Sequence, residues 1–455
     1  MSTPLQHLPS AAASGQDGQQ LAQQFGDLTP PLSKRQALLE AERCLYCYDA
    51  PCTRICPTGI DVPGFIRQLA HGNADGAART ILQQNILGGS CARVCPTEVL
   101  CEDMCVRNHG EEKEPIKIGL LQRHALDAAA LPASPFTRAP DSGKKVAVVG
   151  AGPAGLACAH ELARLGHSVR IFERHAKPGG LNEYGIAKYK VPGDFAAREV
   201  EFVLSIGGID LECGKELGRD MQLADLQRDY DAVFLGIGLG DSRNLGLEDE
   251  QAGGVLAAID YIAELRQSSD LSSLPLPKQA LVIGAGNTAI DIAVQLKRLG
   301  AQQVSIVYRR GAAQMSATWH EQEIAKQHQV QIITWARPEA LMLQDGKCIG
   351  MLFARTKEEN GKLVDTGSSF TLDADAVFKA VGQQLDAGAQ QLGARLAGGK
   401  LAVDAHFRSS LPRVYAGGDC TAGQDLTVQA VQDGKLAARA IDSDLRSKEA
   451  ITWPI

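Results

Sequence analysis

A multidomain α+β chain, with a helical cysteine-rich domain ahead of two interleaved Rossmann-like α/β domains, is the fold the sequence predicts. Three observations predict it. Eight of the twelve cysteines fall within the first 105 of 455 residues. A strand runs into a glycine turn and then a helix twice, over 145–165 and 280–299. A late strand over 413–416 runs into Gly417, Gly418 and Asp419.

Composition sets the outer limits. The length allows about three domains at ~150 residues each. A hydrophobic share of 44% with 22% charged residues describes a soluble globular protein with room for real cores. A net charge of −7 gives no sign of nucleic-acid or anionic-membrane binding. No apolar stretch approaches ~20 residues, so no helical membrane span is expected. The first 24 residues are polar and rich in Gln, Ala and Ser, with no charged-then-apolar leader. A flexible tail over 1–31 and a cytoplasmic location are therefore expected.

The cysteines come in two runs. One is Cys44, Cys47, Cys52 and Cys56, with Pro57 behind it; the other is Cys91, Cys95, Cys101 and Cys105. Thiolates this dense, with Pro after the closing Cys, suit iron–sulfur cubes, because each cube needs four soft ligands. In ferredoxin-like runs the fourth Cys serves the other cluster, so two cubes sharing ligands between the runs are expected. A disulfide framework suits a short secreted chain instead. Two structural zinc sites are the stronger rival, although only Cys44 and Cys47 form a C-x2-C pair. Helical stretches over 36–43, 62–84 and 116–130 surround the runs, giving an iron–sulfur domain over 32–135. Pro132, Pro135, Pro140 and Gly143 mark the linker that follows.

The first nucleotide motif is Gly150, Gly152, Pro153, Ala154 and Gly155, between a strand and the helix 156–165. Gly150 makes the tight turn, Gly152 admits a pyrophosphate, and Gly155 lets helix pack on strand. The helix N-terminus then faces phosphate with free N–H groups. A second strand over 168–172 ends on Glu173, placed to accept hydrogen bonds from a ribose. The second motif is Gly284, Ala285, Gly286, Asn287, Thr288 and Ala289, followed by a helix over 290–299 and a strand over 303–308. That strand ends on Arg309 and Arg310, which suit a 2′-phosphate or lie as surface charge near an adenine.

Two such folds suggest one for FAD and one for a nicotinamide. Gly418 and Asp419, followed by a helix over 427–440, suit the far end of an FAD whose first half binds early in the chain. The second fold is then inserted in the first. FAD binding starts over 144–278, NAD(P) binding occupies 279–378, and FAD binding resumes over 379–445. Strands ending at Gly236 and Gly238, and at Ala380 and Gly382, open into glycine turns suited to the crossovers.

This arrangement resembles the flavin and iron–sulfur half of dihydropyrimidine dehydrogenase, and is similar to the small subunit of glutamate synthase. The likeness covers roughly 35–445. Gln122, in the stretch 115–122, matches the pyrimidine enzymes, whose Gln here is an unusual cluster ligand; the synthases tend to carry Glu. The resemblance implies one [4Fe-4S] cluster on Cys44, Cys47, Cys52 and Cys105. It implies a second on Cys56, Cys95, Cys101 and Gln122, leaving Cys91 outside both. It further implies that 173–181, with Gly180 and Leu181, together with Lys190 and the stretch from Asp419 to Thr427, line FAD. Ala285 to Thr288, Arg309 and Arg310 meet the nicotinamide cofactor. Ser316 stands where some NADPH-using relatives place an Arg, which favours NADH over NADPH.

Nothing here has room for an FMN barrel of ~250 residues. Cys158, Cys213, Cys348 and Cys420 stand singly, so the dithiol chemistry of a thioredoxin reductase is excluded. The resemblance therefore implies an electron-input subunit: hydride from NADH to FAD, then single electrons through the clusters to an FMN- and iron–sulfur-containing catalytic partner in a heterotetramer. That partner reduces uracil or thymine. The alternatives are a glutamate synthase small subunit, a general NAD(P)H:acceptor reductase, and a cluster module that only senses redox state.

Overall fold

The glycine turns at Gly150 and Gly284 each lie between a parallel strand and a helix, whereas those after Ala232–Leu235 and Ala376–Ala380 lead into short antiparallel strands. The computed structural model describes residues 18–111 and 113–447. Two compact bodies divide them, one built from 29–183, 193–240 and 385–447, the other from 18–28, 184–192 and 241–384.

In the first body a five-stranded sheet has the order Val414–Ala416, Ala232–Leu235, Lys145–Val149, Ser168–Glu173 and Ile209–Cys213. Every neighbouring pair is parallel. Strand residues alternate between two faces. Val146 and Val148 pack toward the helices Pro153–Arg164 and Thr427–Arg446, while Ala147 and Val149 face Leu226, Leu385 and Leu401. Burial on both faces explains why Lys145–Val149 and Ala232–Leu235 read as apolar runs.

The helical module belongs to the same body. Its helices Lys34–Glu42, Val62–Ala70, Ala74–Gln84 and Ile118–Ala128 enclose a small core of Phe65, Ile66, Ile81, Ile118 and Leu121. The single helix expected over 62–84 is two. Gly72 turns the chain in the left-handed region at φ 72°, and Asn73 caps the second helix by accepting from the Gly76 N–H at 2.8 Å. The proline-marked linker is stapled down: Phe136 packs edge-on to His160 at 5.3 Å, and Arg138 donates to the carbonyls of Ala163 and His167.

The second body holds another parallel five-stranded sheet, ordered Val255–Ala257, Ala376–Ala380, Gln279–Gly284, Gln303–Val307 and Gln331–Ile333. A three-stranded antiparallel sheet, Ala336–Gln344, Lys347–Glu359 and Lys362–Asp373, extends it.

Three expected boundaries are corrected. Residues 241–278 pack with the second sheet, because Val255–Ala257 adds to its edge beside Ala376–Ala380. Residues 379–384 stay in that body through the pairing of Gln383 and Gln384 with Ser242 and Asp241. The expected tail contains the helix Gly18–Gln24, whose Leu21 and the following Phe25 are buried in the second body's core; residues 1–17 of that tail lie outside the described residues.

The long helix Thr427–Arg446 crosses Pro153–Arg164 at Gly434, where a Cβ would lie 2.0 Å from the Ala154 carbonyl oxygen. Gly434→Ala gains about 1 kcal/mol in helix propensity and loses about 1–3 kcal/mol to overpacking against backbone. The expected result is a lower thermal unfolding midpoint. A midpoint equal to the parent's would mean that the two helices can part without cost.

Candidate functional site

The cysteine runs gather into two groups. Cys44, Cys47, Cys52 and Cys105 are electrostatic neighbours: burial and then Cys105 and Cys47 raise the Cys44 thiol, and burial followed by Cys105 and Cys44 pushes Cys52 up to about 11. Cys56, Cys95 and Cys101 form the other group. Burial holds Cys95 and Cys101 well above the usual thiol range, and Cys56 adds to both shifts. Cys52 and Cys101 also face each other, so the groups adjoin. No disulfide joins any of the twelve.

Cys101 and Cys105 are buried in the module's apolar core, with Cys44, Cys52 and Cys56 packed against it, where a thiolate without a metal is costly. A bound metal reverses that cost by deprotonating its ligands outright. Among the described residues no three His, Cys, Asp or Glu side chains converge to hold a single metal ion. Donor chemistry and grouping thus fit iron–sulfur clusters. Gln122, on Ile118–Ala128, is buried, and its Nε2 donates to the Gly88 carbonyl at 2.8 Å.

Around the first glycine turn, distant segments meet. Gly150 has φ 98°, and a Cβ there would strike the Gly236 oxygen at 2.3 Å. A Cβ on Gly155 would lie 1.9 Å from the Gly150 oxygen, so only glycine lets Pro153–Arg164 pack this close. Gly180 approaches Gly152, with a built Cβ 2.6 Å from its Cα, while Gly418 at φ 77° lies against Ala154. Glu173 accepts from Ala151 N, His175 N and His175 Nδ1, each at 2.8 Å. Burial opposes its ionisation, yet those donors hold its carboxyl below the usual range. Of about four acceptor sites on a carboxylate, three are used. Leu181 opens a short helix whose Asn182 accepts from Thr427 Oγ1 at 3.2 Å. Burial and then the Asp425 carboxylate push Asp419 up to about 6.

In the second body, Gly284, Ala285, Gly286, Asn287 and Thr288 lead into the helix Asn287–Leu299. Gly284 lies against Ala380, whose oxygen is 2.1 Å from a built Cβ, and Gly382 follows at φ 96°. Ser316 Oγ donates to the Ala285 carbonyl at 3.4 Å. Arg309 and Arg310 are anchored by their carbonyls, which accept from Thr356 Oγ1 and Trp335 N. Neither guanidinium is seen in an ion pair among the described residues. Lys190 belongs to this body, paired with Asp291 at 2.7 Å and Glu321 at 2.6 Å.

Spacing gave no warning of the seam joining the module to the first nucleotide fold. Glu199, on Phe195–Leu204, accepts from Ser90 N at 2.9 Å and from Ser90 Oγ. Arg93 stacks over the Phe195 ring at 3.7 Å. Lys435 donates to the carbonyls of Gln84 at 2.7 Å and Thr58 at 3.2 Å. One signal was available: Glu199 occupies the same helical face as Ala196, Val200 and Val203, where an apolar residue belongs.

A family model described as pyridine nucleotide-disulphide oxidoreductase matches residues 144–434, and the chain belongs to that family. A second model, dihydropyrimidine dehydrogenase domain II, 4Fe-4S cluster, matches 21–132. Among individual relatives, the NAD-dependent dihydropyrimidine dehydrogenase subunit PreT of Salmonella typhimurium is 36% identical, over 91% of this chain and 96% of its own. The glutamate synthase [NADPH] small chain of Escherichia coli is 34% identical, over 92% and 93% respectively. FprA from Mycobacterium tuberculosis shares the fold, with TM-score 0.57 and 19% identity over 68% of this chain and 85% of that one. The thioredoxin reductase of T. acidophilum does so at TM-score 0.51 and 21% identity, over 67% and 100%. Here Cys158, Cys348 and Cys420 are buried singly. No helix among the described residues is long and apolar enough to cross a membrane.

Burial, opposed by the Ser90 donors, pushes Glu199 from 4.5 up to about 7. Between those values the folded chain holds a proton that the unfolded chain has released, so stability falls as pH rises through the window. Glu199→Gln removes this loss. Its stability relative to the parent is expected to improve between pH 5 and pH 8 by on the order of 2–3 kcal/mol. Urea unfolding at both pH values measures it, and a pH-independent offset would count against a buried, protonated Glu199.

Proposed function

We propose that the chain is the electron-input subunit of an NAD-dependent dihydropyrimidine dehydrogenase. It oxidises NADH, with NADPH as the alternative donor. Electrons go to a separate FMN- and iron–sulfur-containing subunit that reduces uracil or thymine to the 5,6-dihydro form, the two subunits forming a heterotetramer. One observation carries this reading: two cysteine groups and a glycine-cradled nucleotide fold share a single body. The relatives named as dehydrogenase subunits support the partner.

When bound, FAD takes hydride from the nicotinamide and two [4Fe-4S] clusters carry single electrons onward. Cys44, Cys47, Cys52 and Cys105 would hold one cluster, and Cys56, Cys95, Cys101 and Gln122 the other. Gly150, Gly152, Gly155, Gly180 and Gly418 keep backbone clear for the FAD pyrophosphate, and Pro153 and Ala154 begin the helix that faces it. Glu173 offers its remaining acceptor site to a ribose hydroxyl. Asp419 and Thr427 would meet the flavin end. In the other body Gly284, Gly286 and the N-terminus at Asn287 suit the nicotinamide cofactor's pyrophosphate. Arg309 and Arg310 keep their guanidiniums for its adenosine end. Hydride transfer asks for distance and orientation more than for an acid or base, so no catalytic side chain is assigned.

The second reading is a glutamate synthase small subunit, favoured by the 34% identity to that chain. Coupled assays separate the two. The purified chain should contain about eight irons, eight labile sulfides and one FAD, and stoichiometric zinc without sulfide would sink the cluster reading. Alone it should reduce ferricyanide with NADH yet leave uracil untouched. Adding the FMN-bearing dehydrogenase subunit should restore uracil reduction, and Cys44→Ser or Cys101→Ser should lower that coupled rate far more than the dye rate. Uracil reduction by the chain alone would overturn the division of labour, and glutamate formation with a synthase large subunit instead would favour the second reading.

A further inference from the structure

Cys91 is the one member of the two runs that neither ligand set uses. It is 2% exposed and sits one turn before Cys95, whose N–H donates to the Cys91 carbonyl at 2.9 Å. Gly88, Cys91 and Cys95 therefore share a face of one helix. Gln122 reaches the same face, because its Nε2 is tied to the Gly88 carbonyl. That bond leaves Oε1 as the amide's ligating atom. Cys95 packs against the small buried cluster that holds Cys91, and the Cys91 thiol is an electrostatic neighbour of Cys56, another member of the second group, and of Glu199.

Asn85 is an independent sign. Its side chain is fully buried, and its Oδ1 accepts from Leu87 N at 3.1 Å. Yet its Nδ2 has no well-aligned acceptor among the described residues. The Asn85 side chain neighbours the Cys91 sulfur closely enough to favour its thiolate. As a thiol that sulfur is a weak acceptor; as a metal-bound thiolate it is a good one. The orphaned donor is thus aimed where a ligating Cys91 would satisfy it.

We propose that the second cluster site has two interchangeable fourth ligands, the amide oxygen of Gln122 and the thiolate of Cys91. Exchange breaks one iron–oxygen bond and forms one iron–sulfur bond. The Cys91 proton is released to the medium, and no electron is gained or lost. The thiolate form carries one more negative charge, so its potential is lower, moderated by the Asn85 hydrogen bond. This inference rests on the two-cluster reading above.

The full chain is purified anaerobically as parent, Cys91→Ala, Gln122→Ala and the double variant, and iron, labile sulfide and FAD are counted. The parent and both single variants should hold about eight irons, with the paramagnetic resonance of reduced Gln122→Ala altered. The double variant should hold about four or fewer. Loss of four irons on either single substitution, or failure of Gln122→Ala to fold with its FAD, overturns the proposal. So does a double variant that keeps all eight. Zinc without sulfide in the parent defeats the cluster reading itself, which keeps the two failures distinct.

Discussion

A buried glutamate and a buried lysine hold the cysteine module against the first nucleotide fold. Glu199 and Lys435 are 8% and 7% exposed, and both reach from nucleotide-fold helices to backbone groups of the module. Leaving a buried hydrogen-bonding group without its partner typically costs about 1–3 kcal/mol, so the module cannot swing away cheaply. The contacted backbone matters as well. Thr58 lies two residues after Cys56, and Ser90 immediately precedes Cys91 on the helix leading to Cys95. The contacts that fix the seam therefore also fix the chain carrying the cysteine groups. For electron transfer between two cofactors in one body, that fixed separation is the main thing a protein can supply.

The same region carries costs that a bound metal would offset. Its core is small, and several of its side chains are thiols that raise one another's pKa. Tyr46 and Ala50, flanking Cys47, are both left-handed, at φ 50° and 35°, a conformation that non-glycine residues hold only when their surroundings insist. Ligation would offset both costs, replacing thiol repulsion with metal bonds and tying down the loop. Folding and cluster assembly then become one event.

What the sequence made legible was local. Gly150 and Gly155 are required by a turn and a close approach within six residues, so a motif reports them directly. The alternative fates of residues 241–278 had no such signal. They turn on a three-residue edge strand, Val255–Ala257, too short to show a period and free on sequence grounds to join either sheet. The helix at Gly18–Gln24 was hidden for another reason: its Gln-rich surface outweighs Leu21 and Phe25, the apolar residues that anchor it. The contact between Glu199 and Ser90 joins residues 109 positions apart and leaves no trace in spacing, apart from an acid on an apolar helical face. Gln122 came from family likeness, since an amide ligand has no spacing signature of its own.

Pairing separates the cations that the sequence singled out. Lys190 is matched twice, by Asp291 and Glu321, and these carboxylates hold its ammonium charged despite burial. A cation so matched positions the chain around it; Tyr189 and Ala187 direct hydrogen bonds to the same Asp291. Arg309 and Arg310 are the reverse case. Their backbone is pinned by Thr356 and Trp335, while among the described residues neither guanidinium enters an ion pair, at the end of Gln303–Val307. An incoming anion gains most where positive charge has been positioned but not yet neutralised. Sequence places Arg309 and Arg310 after the second nucleotide motif and family likeness brings in Lys190, but only the structure shows that Lys190 is matched by two carboxylates.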